Sequence, residues 1–99
     1  MSTNDITFEW HSRKASQNLR KHGVSFEEAK TAFLDDNARL IADEDHSADE
    51  DRFVLMGLSV QLRLLVVVHC YRESDNVIRI ISARKADLVE RRQYSDFLR

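Results

Sequence analysis

Four arginines, at positions 63, 72, 79 and 84, are threaded through the most apolar stretch of this 99-residue chain, Arg63–Arg84 (RLLVVVHCYRESDNVIRIISAR). A charged side chain in such a segment must reach solvent, find a carboxylate or serve a site. In an antiparallel sheet alternate residues share a face. Arg63 then lies with Leu65, Val67, His69 and Tyr71, and Arg79 with Val77, Ile81 and Ala83, while Arg84 falls on the opposite parity. If neighbouring strands bring Arg63 and Arg79 together on a concave face, their guanidiniums would cradle a phosphate by bidentate contacts and stabilise charge growing on a phosphorane. The competing reading is structural: each arginine snorkels to the rim or pairs with a carboxylate such as Glu50 or Glu90.

The histidines, at 11, 22, 46 and 69, fall in no HExxH or other recognised ligand spacing. His22 follows Lys21 at an expected helix end, where a proton could be exchanged near neutral pH, or where the ring simply caps the helix. His46, beside Asp43, Glu44 and Asp45, could hold a divalent ion loosely, or belong to a solvated loop. His69 among valines reads as a core or rim side chain. Cys70 is the only cysteine, which excludes an intramolecular disulfide and fits a reducing compartment; its apolar neighbours make it a buried thiol. No phosphate-binding loop, nucleotide fingerprint, GxSxG or zinc knuckle is present, so no cofactor and no metal are expected.

The elements that must position these groups follow from periodicity. Two β-branched runs, Leu64–Val68 and Val77–Ile81, flank a polar break at Glu73–Asn76 and predict a hairpin in the centre of a sheet. Upstream, Phe8-Glu9-Trp10 alternates as a short first strand. A polar helix over His11–His22 follows, with Ser12 as its cap, a narrow apolar stripe of Ala15 and Leu19, and Gly23 at the left-handed end. A second helix starts at a capping box, Ser25 with Glu28, and turns Phe26, Ala29, Ala32 and Phe33 toward the sheet. Strands over Arg39–Asp43 and Phe53–Ser59 precede the hairpin, and a final helix carries Leu88, Val89, Tyr94 and Phe97. Two helices before a meander predict an α+β fold: helices on one face of a curved, mainly antiparallel sheet, the other face partly open, and a C-terminal helix.

Length allows one domain, residues 1–99, and there is no proline and only two glycines. The N-terminus carries no signal-peptide pattern, and the longest apolar run is far too short to span a bilayer. The net charge of −2 does not advertise a nucleic-acid binder. Its distribution is more telling: residues 1–51 carry six basic and twelve acidic side chains, residues 52–99 nine basic and five acidic. An acidic protein can thus hold a basic working surface. Six carboxylates within Asp43–Asp51 repel one another and read as a solvated loop.

Beyond periodicity, Phe8-Glu9-Trp10, Lys14-Ala15, Asn18, Lys21–Ala29 (KHGVSFEEA) and Phe33 resemble the opening of the BrnT toxin family. The resemblance runs on through Glu50-x-Arg52, Gly57-x-Ser59, Arg63, Val67, Ile78–Arg84 (IRIISAR), Ala86, Glu90 and Tyr94, covering roughly residues 8–94. It implies a RelE-like microbial ribonuclease fold and a cytoplasmic, RNA-cleaving toxin of a type II toxin–antitoxin pair that inhibits translation. It also implies a BrnA-like antitoxin partner whose ribbon-helix-helix region carries operator DNA contact for the complex. On the family pattern Arg63, Arg79 and Arg84 become the candidates for phosphate binding. Lys21 and His22 would bring charge and proton transfer, and Glu50 would act as a base or orient an arginine. The implied reaction is metal-independent attack of a ribose 2′-hydroxyl on its adjacent phosphate. One departure bears on activity: the family usually has an acid after the tryptophan, and here His11 stands there. If that acid orients a cation, this copy would be a weakened toxin acting mainly as an antitoxin-binding protein.

Overall fold

The computed structural model describes residues 6–42, 52–72 and 76–98. Glu50 and the acidic segment with His46 lie outside the described residues.

The expected meander forms with β2 (Arg39–Ala42), β3 (Phe53–Leu58), β4 (Leu64–Arg72) and β5 (Val77–Lys85), all antiparallel neighbours. The first strand, β1 (Thr7–Glu9), joins it in a way local pattern does not foretell. It pairs parallel with β5, Glu9 opposite Arg79, and gives the order β1-β5-β4-β3-β2. Helices α1 (Ser12–His22) and α2 (Phe26–Thr31), the latter running into a 3₁₀ turn at Ala32–Leu34, cover one face; α3 (Leu88–Phe97) crosses part of the other.

The helix-side core holds Val24, Phe26, Ala29, Ala32, Leu55, Leu65, Val67, Ile80 and Ala83. Two of these, Ile80 and Ala83, are three residues apart on one strand, so strict alternation would send them to opposite faces. They share a face because Ser82 pairs with Val68 and Ile80 with His69, leaving Ile81 as an extra residue, a β-bulge. This bulge overturns the expected parities. Ser82, Arg79 and Arg84 all turn to the face away from the α1–α2 layer.

Two close fits set how α1 and α2 sit on the sheet. Where β1 ends, Asn18 takes over as a one-residue strand: its Oδ1 accepts from Ala83 N at 3.1 Å and its Nδ2 donates to Ala83 O at 2.8 Å and Val24 O at 2.9 Å. The buried position of α1 is therefore this amide, and Leu19, expected in the apolar stripe, is half exposed. Gly57 lies under the 3₁₀ turn, where a Cβ would stand 2.6 Å from Ala32 O, so only glycine admits that approach.

The helix ends depart from expectation in informative ways. At α1 the N-cap is His11 rather than Ser12, and its side chain makes no capping hydrogen bond. Gly23 closes the helix at φ 71°, its N–H donating to Leu19 O at 2.8 Å, as predicted. Ser25 caps α2 by accepting from Glu28 N at 3.0 Å, but the Glu28 carboxylate reaches across to the sheet instead of back to the cap. The reciprocal box forms at α3, between Asp87 and Glu90. Leu88 and Val89 of α3 are exposed; Tyr94 is the buried anchor, its hydroxyl donating to Asp35.

Candidate functional site

Arg63 and the other arginines of the hairpin end up on opposite faces. Arg63 precedes β4 and turns to the helix side. Its Nε donates to Glu28 Oε2 at 3.0 Å, and its Nη2 donates to Glu28 Oε1 and, at 3.1 Å, to Gly23 O. Glu28, only 2% exposed at its side chain, also accepts from Ser59 Oγ at 2.7 Å. The Arg63 hydrogen bonds, with the Ser59 bond, outweigh desolvation and hold the Glu28 carboxyl below its ordinary value. Arg79 sits opposite Cys70, seven residues along β4 from Arg63, about 23 Å at strand rise. The structure does not bring Arg63 and Arg79 to one phosphate.

The face away from α1 and α2 gathers cations instead. Arg79 donates from Nε to Glu9 Oε2 at 3.0 Å, and Arg72 meets the same oxygen at 3.1 Å. Arg84 grips Glu90 with two parallel bonds of 2.8 Å, the bidentate fork that guanidinium and carboxylate geometry favours. The fork is the main reason the Glu90 carboxyl lies below its ordinary value. Both guanidiniums stay partly in solvent, with Arg79 and Arg84 side chains 41% and 42% exposed. From β2, Arg39 reaches the same face and lies 3.7 Å from the centroid of the Phe97 ring.

Lys21 and His22 line a shallow groove of about 240 Å³ between α1 and the edge of β5, together with Lys14, Gln17, Ile81 and Ser82. The bulge thus has two consequences. It puts Arg79 and Arg84 on one face, and its residues Ile81 and Ser82 form the β5 wall of the groove holding Lys21 and His22. Glu9 and Arg39, which sequence reasoning did not single out, belong to this face. Alternation in Phe8-Glu9-Trp10 hinted that Glu9 faces away from the core; no local signal marks Arg39. Glu28, read only as a cap residue, is the partner of Arg63.

The remaining candidates are internal. His69 is fully buried and ringed by Phe33, Phe53 and Tyr71. Burial pushes its pKa down, against the smaller opposing effect of the Val67 carbonyl 3.2 Å from Nδ1, so the ring is neutral. Cys70 is a buried thiol, as expected. Among the described residues no three His, Cys, Asp or Glu side chains cluster as a metal site, and no helix is long and apolar enough to cross a membrane.

The face away from α1 and α2 thus collects arginines that are paired yet still reachable by solvent, and in class the molecule is a small α+β protein. The family model for BrnT, the ribonuclease toxin of a type II toxin–antitoxin system, matches residues 10–90. The chain belongs to that family, and is a ribonuclease toxin that pairs with a cognate antitoxin and acts on RNA. Its fold is similar to the crystal structure of the Brucella abortus ribonuclease toxin BrnT. The TM-score is 0.62 at 19% identity, over 83% of this chain and 97% of that one. No curated protein sequence matches it significantly.

Proposed function

We propose that RNA is cut on the β5 face bearing Arg79 and Arg84, beside the groove of Lys21 and His22, by a reaction that needs no metal. The observation that carries this is the bulge at Ile81: it gives the two arginines a common face, and its residues Ile81 and Ser82 line the histidine-bearing groove. The arginines hold phosphates of one strand at successive positions, since their guanidiniums turn apart, toward Glu9 and Glu90. A phosphate arriving at Arg84 or Arg79 takes the place of a carboxylate on the guanidinium fork.

In the reaction the ribose 2′-oxygen attacks the adjacent phosphorus and loses its proton to a base. The 5′-oxygen leaves and takes a proton from an acid, giving a 2′,3′-cyclic phosphate and a free 5′-hydroxyl. The arginines stabilise the extra negative charge of the phosphorane. His22 serves proton transfer from the groove, with Lys21 steering the backbone. Arg63, its Nε and Nη2 committed to Glu28 and Gly23 O, acts by holding α2 and the end of α1 against the sheet. Glu50, the remaining candidate, would serve as a base or as an orienting group. We read residues 1–99 as one toxin domain working in the cytoplasm. Its partner is a BrnA-like antitoxin with a ribbon-helix-helix region, through which the complex contacts operator DNA; family membership supports this reading.

The test is cleavage of a defined RNA with chelator present. Wild type should cut it, and Arg79→Ala and Arg84→Ala, folded by circular dichroism, should not. Cleavage that survives both substitutions would place the chemistry elsewhere. A folded wild type that does not cut under conditions where a relative does would favour the antitoxin-binding reading.

A further inference from the structure

A second feature of the same face concerns the substrate's bases rather than its phosphates. Strand register aligns four residues in a row across the sheet: Arg39 opposite Met56, Met56 opposite Val66, and Val66 opposite Arg84. Two apolar side chains are thus flanked by two arginines, whose backbones stand three strand spacings apart, about 14 Å. Val54 extends the apolar floor, and α3 supplies a wall of Glu90 and Gln93, enclosing a groove of about 310 Å³. That is within the size range of small-molecule sites, roughly 300–1,000 Å³.

The geometry points to a subsite for one unpaired nucleobase of the RNA, seated on Val54, Met56 and Val66, its flanking phosphates reaching Arg39 and Arg84. An apolar floor between two cations matches a nucleotide, which carries a flat apolar ring between two anionic links. The wall adds selectivity. When a phosphate replaces it on Arg84, the Glu90 carboxylate keeps the Asp87 N–H and offers its freed acceptors to the base. It favours a base with an exocyclic amino group, as in the pairing of a carboxylate with the cytosine amine. Adenine, cytosine and guanine carry such a group and uracil does not. The subsite rests on the assignment of the β5 face as the reacting face, because Glu90 both lines the groove and grips Arg84.

The experiment measures binding, so that it does not depend on cleavage. Short 2′-O-methyl oligoribonucleotides, identical except for one central position carrying A, C, G, U or an abasic sugar, are titrated against the protein by fluorescence anisotropy. The amino-bearing bases should bind about tenfold more tightly than the abasic strand, with uracil between. Met56→Trp, which fills the groove, should bring every base to the abasic level and leave abasic binding within about twofold. Gln93→Ala, at an exposed helical position that does not threaten folding, should reduce the differences among bases. Equal binding of base-bearing and abasic strands by wild type overturns the subsite. So does base discrimination that survives both variants. Loss of antitoxin affinity in Met56→Trp with base discrimination intact would overturn it too, and give the groove to the protein partner. Failure of the reaction face is distinct: it appears as cleavage unaffected by Arg79→Ala and Arg84→Ala, whatever the base dependence.

Discussion

The two faces of one sheet use the same pair of residue types for opposite ends. On the helix side, Arg63 holds a glutamate that is almost wholly buried, within a network that also takes in Ser59 and the carbonyl ending α1. On the α3 side, Arg79 and Arg84 hold glutamates that keep 39% and 24% of their side-chain surface exposed. Geometry does not separate them, since both Arg63–Glu28 and Arg84–Glu90 are forked pairs. Solvent does. A buried carboxylate left without its cation cannot recover the lost interaction from water, so Glu28 makes Arg63 obligatory. A half-exposed pair is worth little, about 0–1 kcal/mol, so Glu9 and Glu90 can surrender their arginines to a phosphate at small cost. The lesson is that the burial of the acid, more than the identity of the base, tells a structural arginine from an available one.

Substitution can break this contrast. Arg84→Ala should lower the RNA cleavage rate about 10²–10³-fold, as loss of one transition-state donor does, while the melting temperature moves by only a few degrees. Arg63→Ala should do the reverse in kind. It strands Glu28 and should cost about 2–3 kcal/mol, below the value for a wholly buried pair because Arg63 is 33% exposed. In a domain of this size that lowers the melting temperature by about 10–20 °C. Equal stability losses at Arg63 and Arg84 would erase the distinction drawn between the faces.

Gly57→Ala sharpens the account of the helix side. The added methyl meets the Ala32 carbonyl, and overpacking of this kind should cost about 2 kcal/mol in urea unfolding. A smaller effect, and one of opposite sign, is expected at the start of α1. His11→Asp supplies the missing cap and a favourable charge at the helix N-terminus, and should raise stability by about 1 kcal/mol. If the same change also multiplied cleavage many-fold beyond the gain in folded protein, the position would serve the site as well as the helix.

Acidity adds a graded effect in which a buried histidine of the helix side acts first and the carboxylates of both faces follow. The pKa of buried His69 is lowered, so the unfolded chain takes up its proton first, below the ordinary value of 6.5. Stability should therefore decline as pH falls from 6.5 toward the folded value. Glu28 and Glu90 are held below 4.5, so their contribution is complete above that pH and disappears as pH falls through their folded values. Urea midpoints at pH 7.5 and 5.5 should differ in wild type, and His69→Gln should remove most of the difference.

Several parts of this arrangement were legible in the chain. Leu64–Val68 and Val77–Ile81 announced the central hairpin because β-branched density is a local property. Gly23 announced the left-handed end of α1 because only glycine takes that conformation without strain. The KHGVSF and IRIISAR blocks carried the family. Asp87-x-x-Glu90 carries the cap signal of α3, and the exposed Leu88 and Val89 show that apolar residues in a helix need not face a core.

What only the tertiary structure decided is where the arginines point and which acid each one meets. Alternation along a strand is local, and by itself it put Arg79 and Arg84 on opposite faces. The bulge at Ile81 reverses it, and a bulge exists only in the pairing of two strands. The partners of Arg63 and Arg79 lie 35 and 70 residues away, in Glu28 and Glu9, and were brought close by helix packing and a parallel strand pairing. The chain determined its elements through short-range propensity. Register, burial and charge partnership were set by contacts between elements distant in sequence, and those contacts divide one set of arginines into a clamp on a buried acid and a group still reachable by solvent.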